Sequence, residues 1–278
     1  MVRLNGLEKS IESLARIYAK LESKNPFGSI KDRAAKIVIE EAEKNGLMSK
    51  ATCILEATSG NMGIALAGIC QIKGYKCIII MPENMSCQRK KLIADLGGEL
   101  ITTPAELGMT GSLEKANELK TQYENIYYAD QFHNIACVNA HKDYTSNEIY
   151  KQLDGKVDVI IAGIGTGATI RGLIEFFNPI IPNIDIVGVL PSNNPHTIQG
   201  IGPGFIPPFL KNNIPKRIVT VNDDEAYEEK TNIFHSDGLS VGISSGATIA
   251  GLKKLLISNN YTNKNIVVIF PDGSDRYD

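Results

Sequence analysis

Short β-branched runs alternate with longer amphipathic stretches along most of the chain. Residues 17–21, 53–57, 76–81, 99–102, 157–163, 184–190, 217–221 and 265–270 have the length and side-chain types of strands. Between them, the patterns over 31–45, 61–73, 86–96, 112–122, 140–153, 168–177, 224–236 and 247–257 predict helices. Strand and helix alternating at this spacing implies parallel βαβ units. Runs such as Cys-Ile-Ile-Ile-Met at 77–81 are apolar at every position, as strands buried on both faces are. The least regular stretch, 191–215, is rich in Pro, Asn and Gly and reads as a long loop, a kind of segment that is more often functional than idle. A division into two α/β halves near residue 140 follows, with the site expected in the cleft between them.

Composition narrows the class. The 278 residues are 43% hydrophobic and 22% charged, enough to bury a core. With 29 Lys and Arg against 31 Asp and Glu there is no basic surplus to suggest nucleic acid or an anionic membrane as partner. The longest apolar candidates, 77–81 and 157–162, are strand length, so no membrane span is expected. The first residues lack the apolar core of a secretory signal. The five cysteines (Cys53, Cys70, Cys77, Cys87, Cys137) and four histidines have no disulfide or metal-ligand spacing, so the expectation is a cytoplasmic protein with no metal.

Three glycine-rich segments carry the candidate chemistry: Thr58-Ser-Gly-Asn-Met-Gly63, Gly163-Ile-Gly-Thr-Gly-Ala-Thr169 and Gly242-Ile-Ser-Ser-Gly-Ala247. In open α/β sheets ligands bind where the carboxyl ends of strands meet helix N-termini. A Gly/Ser/Thr turn there offers backbone N–H groups and a positive dipole end to an anion. Gly165-Thr-Gly-Ala-Thr169 is the best phosphate cradle of the three. It is not a Walker A loop, because no Lys-Ser/Thr follows, and the spacing of Gly163-x-Gly-x-Gly is wrong for a dinucleotide fingerprint. A fourth segment, Asn25-Pro-Phe-Gly-Ser-Ile-Lys-Asp-Arg33, places Lys31 at a helix N-terminus. The dipole there disfavours the ammonium, as a Schiff-base or general-base lysine needs. Asp32 and Arg33 read as a first-turn acid and an ion-pair partner.

Asn25–Arg33, Glu56–Gly63, Gly165–Thr169, Ile198-Gln-Gly-Ile-Gly202 and Val241–Ala247 stand in the order seen in the cysteine synthase (O-acetylserine sulfhydrylase) family. The chain is identified by them as resembling that fold type II pyridoxal-phosphate family over essentially its whole length. The resemblance implies two three-layer α/β domains with mostly parallel sheets, like the tryptophan synthase β-subunit. A smaller N-terminal domain would span 26–140 and a larger one 1–25 plus 141–278. It implies that Lys31 binds pyridoxal 5′-phosphate covalently and later moves the substrate α-proton. Asn61 would meet the cofactor 3′-oxygen, Gly165, Thr166, Gly167, Ala168 and Thr169 its phosphate, and Ser244 its pyridine nitrogen. Thr58, Ser59 and Gln131 match positions that grip the substrate carboxylate, with Met62 beside them and Gly200 facing the amino group.

A carboxylate beside the ring nitrogen would keep it protonated and make the ring a strong electron sink, whereas a neutral Ser hydroxyl leaves a weaker one. A weak sink suits β-elimination followed by addition of a nucleophile. The leading expectation is L-cysteine formation from O-acetyl-L-serine and sulfide. Its rival consumes L-cysteine and releases sulfide, with lanthionine or cystathionine synthesis beside it. The resemblance also implies a homodimer, and a groove able to receive the C-terminal peptide of serine acetyltransferase.

Several positions depart from the family pattern. Met62 stands where cysteine synthases usually have Thr, which removes a hydroxyl near the substrate carboxylate. Ala168 stands where Gly is common, and the end reads Pro271-Asp-Gly-Ser-Asp-Arg-Tyr277 in place of Ser-Gly-Glu-Arg-Tyr. Asp223 and Asp224 are expected to cap a helix. Longer segments would be expected ahead of Met1, between Leu190 and His196, and beyond Asp278.

Overall fold

Strands that are apolar on both faces need cover on both faces. The computed structural model describes residues 1–212, 214–258 and 260–277. The chain begins with β1 (Val2–Arg3), α1 (Asn5–Ser10), β2 (Arg16–Leu21) and α2 (Lys31–Lys44). Next come β3 (Cys53–Ala57), α3 (Asn61–Lys73), β4 (Lys76–Pro82), α4 (Cys87–Asp95), β5 (Glu99–Thr103), α5 (Gly108–Gln122) and β6 (Ile126–Tyr128). A helical run follows: α6 (Ala136–Asn139), a π-helical segment (Ala140–Ser146) and α7 (Asn147–Gln152). The remainder is β7 (Val159–Gly163), α8 (Ala168–Phe177), β8 (Asp185–Pro191), β9 (Arg217–Val221), α9 (Asp223–Asp237), α10 (Ile243–Ser258) and β10 (Asn265–Phe270).

These elements form two units, one of residues 25–137 with 275–277 and one of residues 1–24 with 138–274. The first holds a four-stranded parallel sheet in the order β5-β4-β3-β6. On one of its faces Leu55, Ala57, Ile78 and Ile80 pack against Ala116 and Leu119 of α5, each large aliphatic side chain contributing about 1.5–3 kcal/mol by leaving water. On the other face α3 lies so close that a Cβ on Gly63 would come within 2.8 Å of Ile79 Cγ2.

The second unit holds a six-stranded sheet in the order β1-β2-β10-β7-β8-β9, parallel except where β1 runs antiparallel to β2. Helix α10 packs against β7, β8, β9, β10 and α9. The α9–α10 approach passes over Gly246, where a Cβ would sit 2.1 Å from the Ala226 carbonyl oxygen and 2.8 Å from the Lys230 nitrogen.

Three short elements, β1, α1 and β6, are absent from the sequence pattern, which has too few residues there to show a period. Helices α5 and α10 begin at Gly108 and Ile243, earlier than expected, because glycine and serine extend their first turns where the sequence suggests a loop. Asn222, not Asp223 or Asp224, caps α9: its side chain accepts from the Glu225 N–H at 2.8 Å while Glu225 Oε2 accepts from the Asn222 N–H at 2.8 Å. The described part of the 191–215 stretch is irregular, apart from one 3₁₀ turn at Pro208–Leu210. No helix among the described residues is long and apolar enough to cross a membrane.

Because backbone atoms crowd Gly246, Gly246→Ala should destabilise the protein by about 2 kcal/mol. A lower urea midpoint at unchanged denaturant slope checks this.

Candidate active site

In the smaller unit the chemistry-bearing residues collect at the carboxyl end of β3. The chain leaves the strand through Thr58, whose N–H donates to the Ile80 carbonyl at 2.9 Å and whose Oγ1 accepts from the Gly60 N–H at 3.1 Å. Gly60 has φ +147°, a conformation open to glycine, and α3 begins at Asn61. Arg89, buried, crosses this turn and donates from Nη1 to the Ser59 carbonyl at 3.2 Å. Its guanidinium lies 4.6 Å from the centroid of the Tyr277 ring.

Lys31 is the first residue of α2. The turn before it is closed by Gly28 N–H to Asn25 carbonyl at 2.9 Å and by Asn25 Nδ2 to Ser29 carbonyl at 3.1 Å. Asp32 accepts from the Phe27 N–H at 2.6 Å and from Ser29 Oγ at 3.3 Å. Burial raises the Asp32 pKa, opposed by those hydrogen bonds and by the charge of Arg276.

Arg276 joins the two turns. It is 3% exposed, donates from Nη1 to Asn61 Oδ1 at 3.0 Å, and donates from Nη2 to the Phe27 carbonyl. A planar guanidinium can serve two acceptors at a fixed angle, which a lysine ammonium cannot do with the same geometry. With Oδ1 turned to the guanidinium, the Asn61 amide presents its Nδ2 donor on its other side. Gln131 is anchored to the same strand end, with its Nε2 donating to the Ala57 carbonyl at 2.9 Å. The Met62 side chain is wholly buried.

In the larger unit β7 ends at Gly163 and α8 starts at Ala168, with Gly167 (φ +84°) as its N-cap. Thr166 Oγ1 accepts from the Ala168 N–H at 3.3 Å. The loop of Gly200 lies directly against this turn: a Cβ on Gly165 would meet the Gly200 carbonyl oxygen at 2.6 Å, and the Gly202 N–H donates to the Ile164 carbonyl at 2.8 Å. Ser244 is almost fully buried in the first turn of α10.

Thus Lys31, Thr58, Ser59, Asn61, Met62 and Gln131 belong to the smaller unit, and Gly165–Thr169, Gly200 and Ser244 to the larger one. The donor set fits pyridoxal phosphate. Residues 165–169 offer small hydroxyls, close backbone approach and a ten-residue helix N-terminus to a phosphate. Ser244, in the first turn of α10, would offer a neutral hydroxyl to the ring nitrogen, where the positive helix end would disfavour a proton.

Sequence reasoning missed Arg89, Arg276 and Glu56, the buried charged residues around these turns. For Arg276 the signal was the terminal Asp-Arg-Tyr run. Glu56 stands in the motif Glu56–Gly63 and inside the strand 53–57, without a role assigned to it; for Arg89 nothing local distinguishes it from a surface charge.

The model of the family described as pyridoxal-phosphate dependent enzyme matches residues 1–272. The cysteine synthase B of Campylobacter jejuni is 41% identical over 270 residues, covering 94% of this chain and 89% of that protein. A hydrogen sulfide-producing enzyme from Fusobacterium nucleatum superposes with TM-score 0.94 at 39% identity, covering 99% of this chain and 95% of that one. An O-acetylserine-dependent cystathionine β-synthase from Helicobacter pylori superposes with TM-score 0.91 at 35% identity, covering 95% and 88%. By sequence, by fold and by the chemistry of its donor groups, this chain belongs to the family of pyridoxal-phosphate dependent enzymes.

Proposed function

We propose that the chain is a β-replacement enzyme acting on a 3-substituted L-alanine, with O-acetyl-L-serine and sulfide as substrates and L-cysteine and acetate as products. The observation that carries this reading is Lys31 opening α2 in a turn that one guanidinium ties to Asn61, the residue that opens α3. The extent of similarity to cysteine synthase B supports it.

When bound, pyridoxal phosphate supplies the electron sink that makes the substrate α-hydrogen acidic. The residues of the chain supply the rest. The N–H groups and hydroxyls of Gly165, Thr166, Gly167, Ala168 and Thr169 hold the phosphate. Ser244 meets the ring nitrogen without charging it, and Asn61 donates to the 3′-oxygen. Thr58, Ser59 and Gln131 grip the substrate carboxylate, and Gly200 faces its amino group. The buried Met62 side chain supports a role there for the backbone of that position. Lys31 takes the α-proton onto Nζ. The electron pair of the broken Cα–H bond forms Cα=Cβ as the Cβ–O bond breaks and acetate leaves. Sulfide then bonds Cβ, and Lys31 returns the proton to Cα. The two units act in this reading as the two domains of the enzyme. It extends to a cytoplasmic homodimer able to receive a serine acetyltransferase C-terminal peptide.

The similarity to a sulfide-producing enzyme favours a second reading, in which L-cysteine enters and sulfide leaves. Supplying O-acetyl-L-serine with sulfide in one assay and L-cysteine alone in another separates them. The first reading predicts a kcat/KM for acetylserine at least about tenfold above that for cysteine, a difference of 1.4 kcal/mol; faster release of sulfide from cysteine establishes the second. In either case Lys31→Ala should abolish the visible absorbance of the bound cofactor and slow turnover by at least about 10³-fold. Retention of both would remove Lys31 from the chemistry.

A further inference from the structure

Glu56 has no part in the chemistry above, yet it is the last residue but one of β3 and is 0% exposed. It shares a sheet face with Ile54 and, across the parallel register, with Cys77 and Ile79 of β4. Its Oε2 accepts from the Gln131 N–H at 3.3 Å, and its Oε1 is buried with no hydrogen-bond partner among the described residues. The next strand residue accepts from the other end of the same glutamine, through Gln131 Nε2 and the Ala57 carbonyl at 2.9 Å. Successive residues of one strand therefore fix both the backbone and the amide of Gln131.

A second observation bears on the same segment. Asp130, directly before Gln131, has φ +50°. A non-glycine residue in that region persists where its surroundings over-determine it. Here the Asp130 carbonyl accepts from the N–H groups of His133 and Asn134, at 3.0 and 2.8 Å, and Asp130 Oδ1 lies 2.9 Å from His133 Nδ1. The Glu56–Gln131 hydrogen bond fixes the residue that follows.

We propose that Glu56 is a positioning residue of the amino-acid subsite, acting through Gln131 to hold that amide where it meets the substrate carboxylate. The inference rests on the reading that Gln131 binds this carboxylate. Burial raises the Glu56 pKa well above the ordinary carboxylate range, and the neighbouring Asp130 charge adds to the shift. The other titratable groups that feel it are Cys77 of β4, Tyr127 and Tyr128 of β6, and Cys137 of α6, which also feels Lys31. Glutamine keeps the length of glutamate and an oxygen that can accept from the Gln131 N–H, so it can replace Glu56. Aspartate, one methylene shorter, cannot reach Gln131.

The test is steady-state kinetics of the holoenzyme with O-acetyl-L-serine and, separately, L-cysteine, for Glu56→Gln, Glu56→Asp, Gln131→Ala and the Glu56→Asp/Gln131→Ala double variant. Loss of the hydrogen bond from the Gln131 N–H, which sets where its side chain starts, predicts a KM raised about fivefold to tenfold in Glu56→Asp, with kcat within about twofold. Glu56→Gln should match the wild type in KM, kcat and the pH profile of both. The double variant should have the KM of Gln131→Ala alone, because Glu56 acts only through that side chain. A Gln131→Ala KM equal to wild type would remove the subsite reading itself. A raised KM in Gln131→Ala with an unchanged KM in Glu56→Asp would overturn the role of Glu56. So would Glu56→Gln being as impaired as Glu56→Asp, or additive effects in the double variant.

Discussion

Polar groups at the buried ends of parallel strands have to find partners inside the chain, and that constraint shapes both units of this protein. Strands covered by helices on both faces give their loops little water to lean on. In the smaller unit the solution is two buried guanidinium groups. Arg89 serves the Ser59 carbonyl, and Arg276 serves the Phe27 carbonyl and the Asn61 amide. In the larger unit the backbone serves itself, through Gly202 N–H to the Ile164 carbonyl beneath the phosphate-type loop.

The proposed function draws on the same arrangement. A lysine that moves a proton has to sit at a fixed place relative to the groups that hold its substrate, since small misplacements cost large factors in rate. The Lys31 turn and the asparagine turn are far apart in sequence and share one guanidinium, so neither can shift without breaking a hydrogen bond to a buried cation. Leaving such a cation with one acceptor costs more than a neutral hydrogen bond does. Gln131 is held in a related way, between the Glu56 side chain and the Ala57 carbonyl. The groups expected to act on substrate are thus fixed by neighbours that do not react.

Much of this was legible in the sequence. The apolar runs of β4, β7 and β10 and the glycine turns before α3 and α8 identify elements and loops by local pattern alone. The short β6 was not legible, because three residues show no period. The start of α10 was hidden because Gly242-Ile-Ser-Ser-Gly246 has the composition of a turn. It is helical because small residues let α10 close on α9 at Ala226. The asparagine loop was found and its support was not. Arg89, Arg276 and Glu56 are charged residues whose burial depends on contacts distant in sequence, up to the 249 positions between Phe27 and Arg276. Linear spacing carries no record of such contacts.

The most direct measurement is an equilibrium titration of cofactor-free protein with pyridoxal phosphate, followed by visible absorbance, for the wild type beside Arg276→Lys. A lysine keeps the charge but cannot bond both the Phe27 carbonyl and Asn61 with the geometry of the fork. If that guanidinium holds the lysine turn and the asparagine turn in register, cofactor affinity should fall at least about tenfold, the worth of a hydrogen bond to a charged group, while the far-ultraviolet circular dichroism stays that of the wild type. An unchanged affinity in a folded Arg276→Lys variant would contradict it.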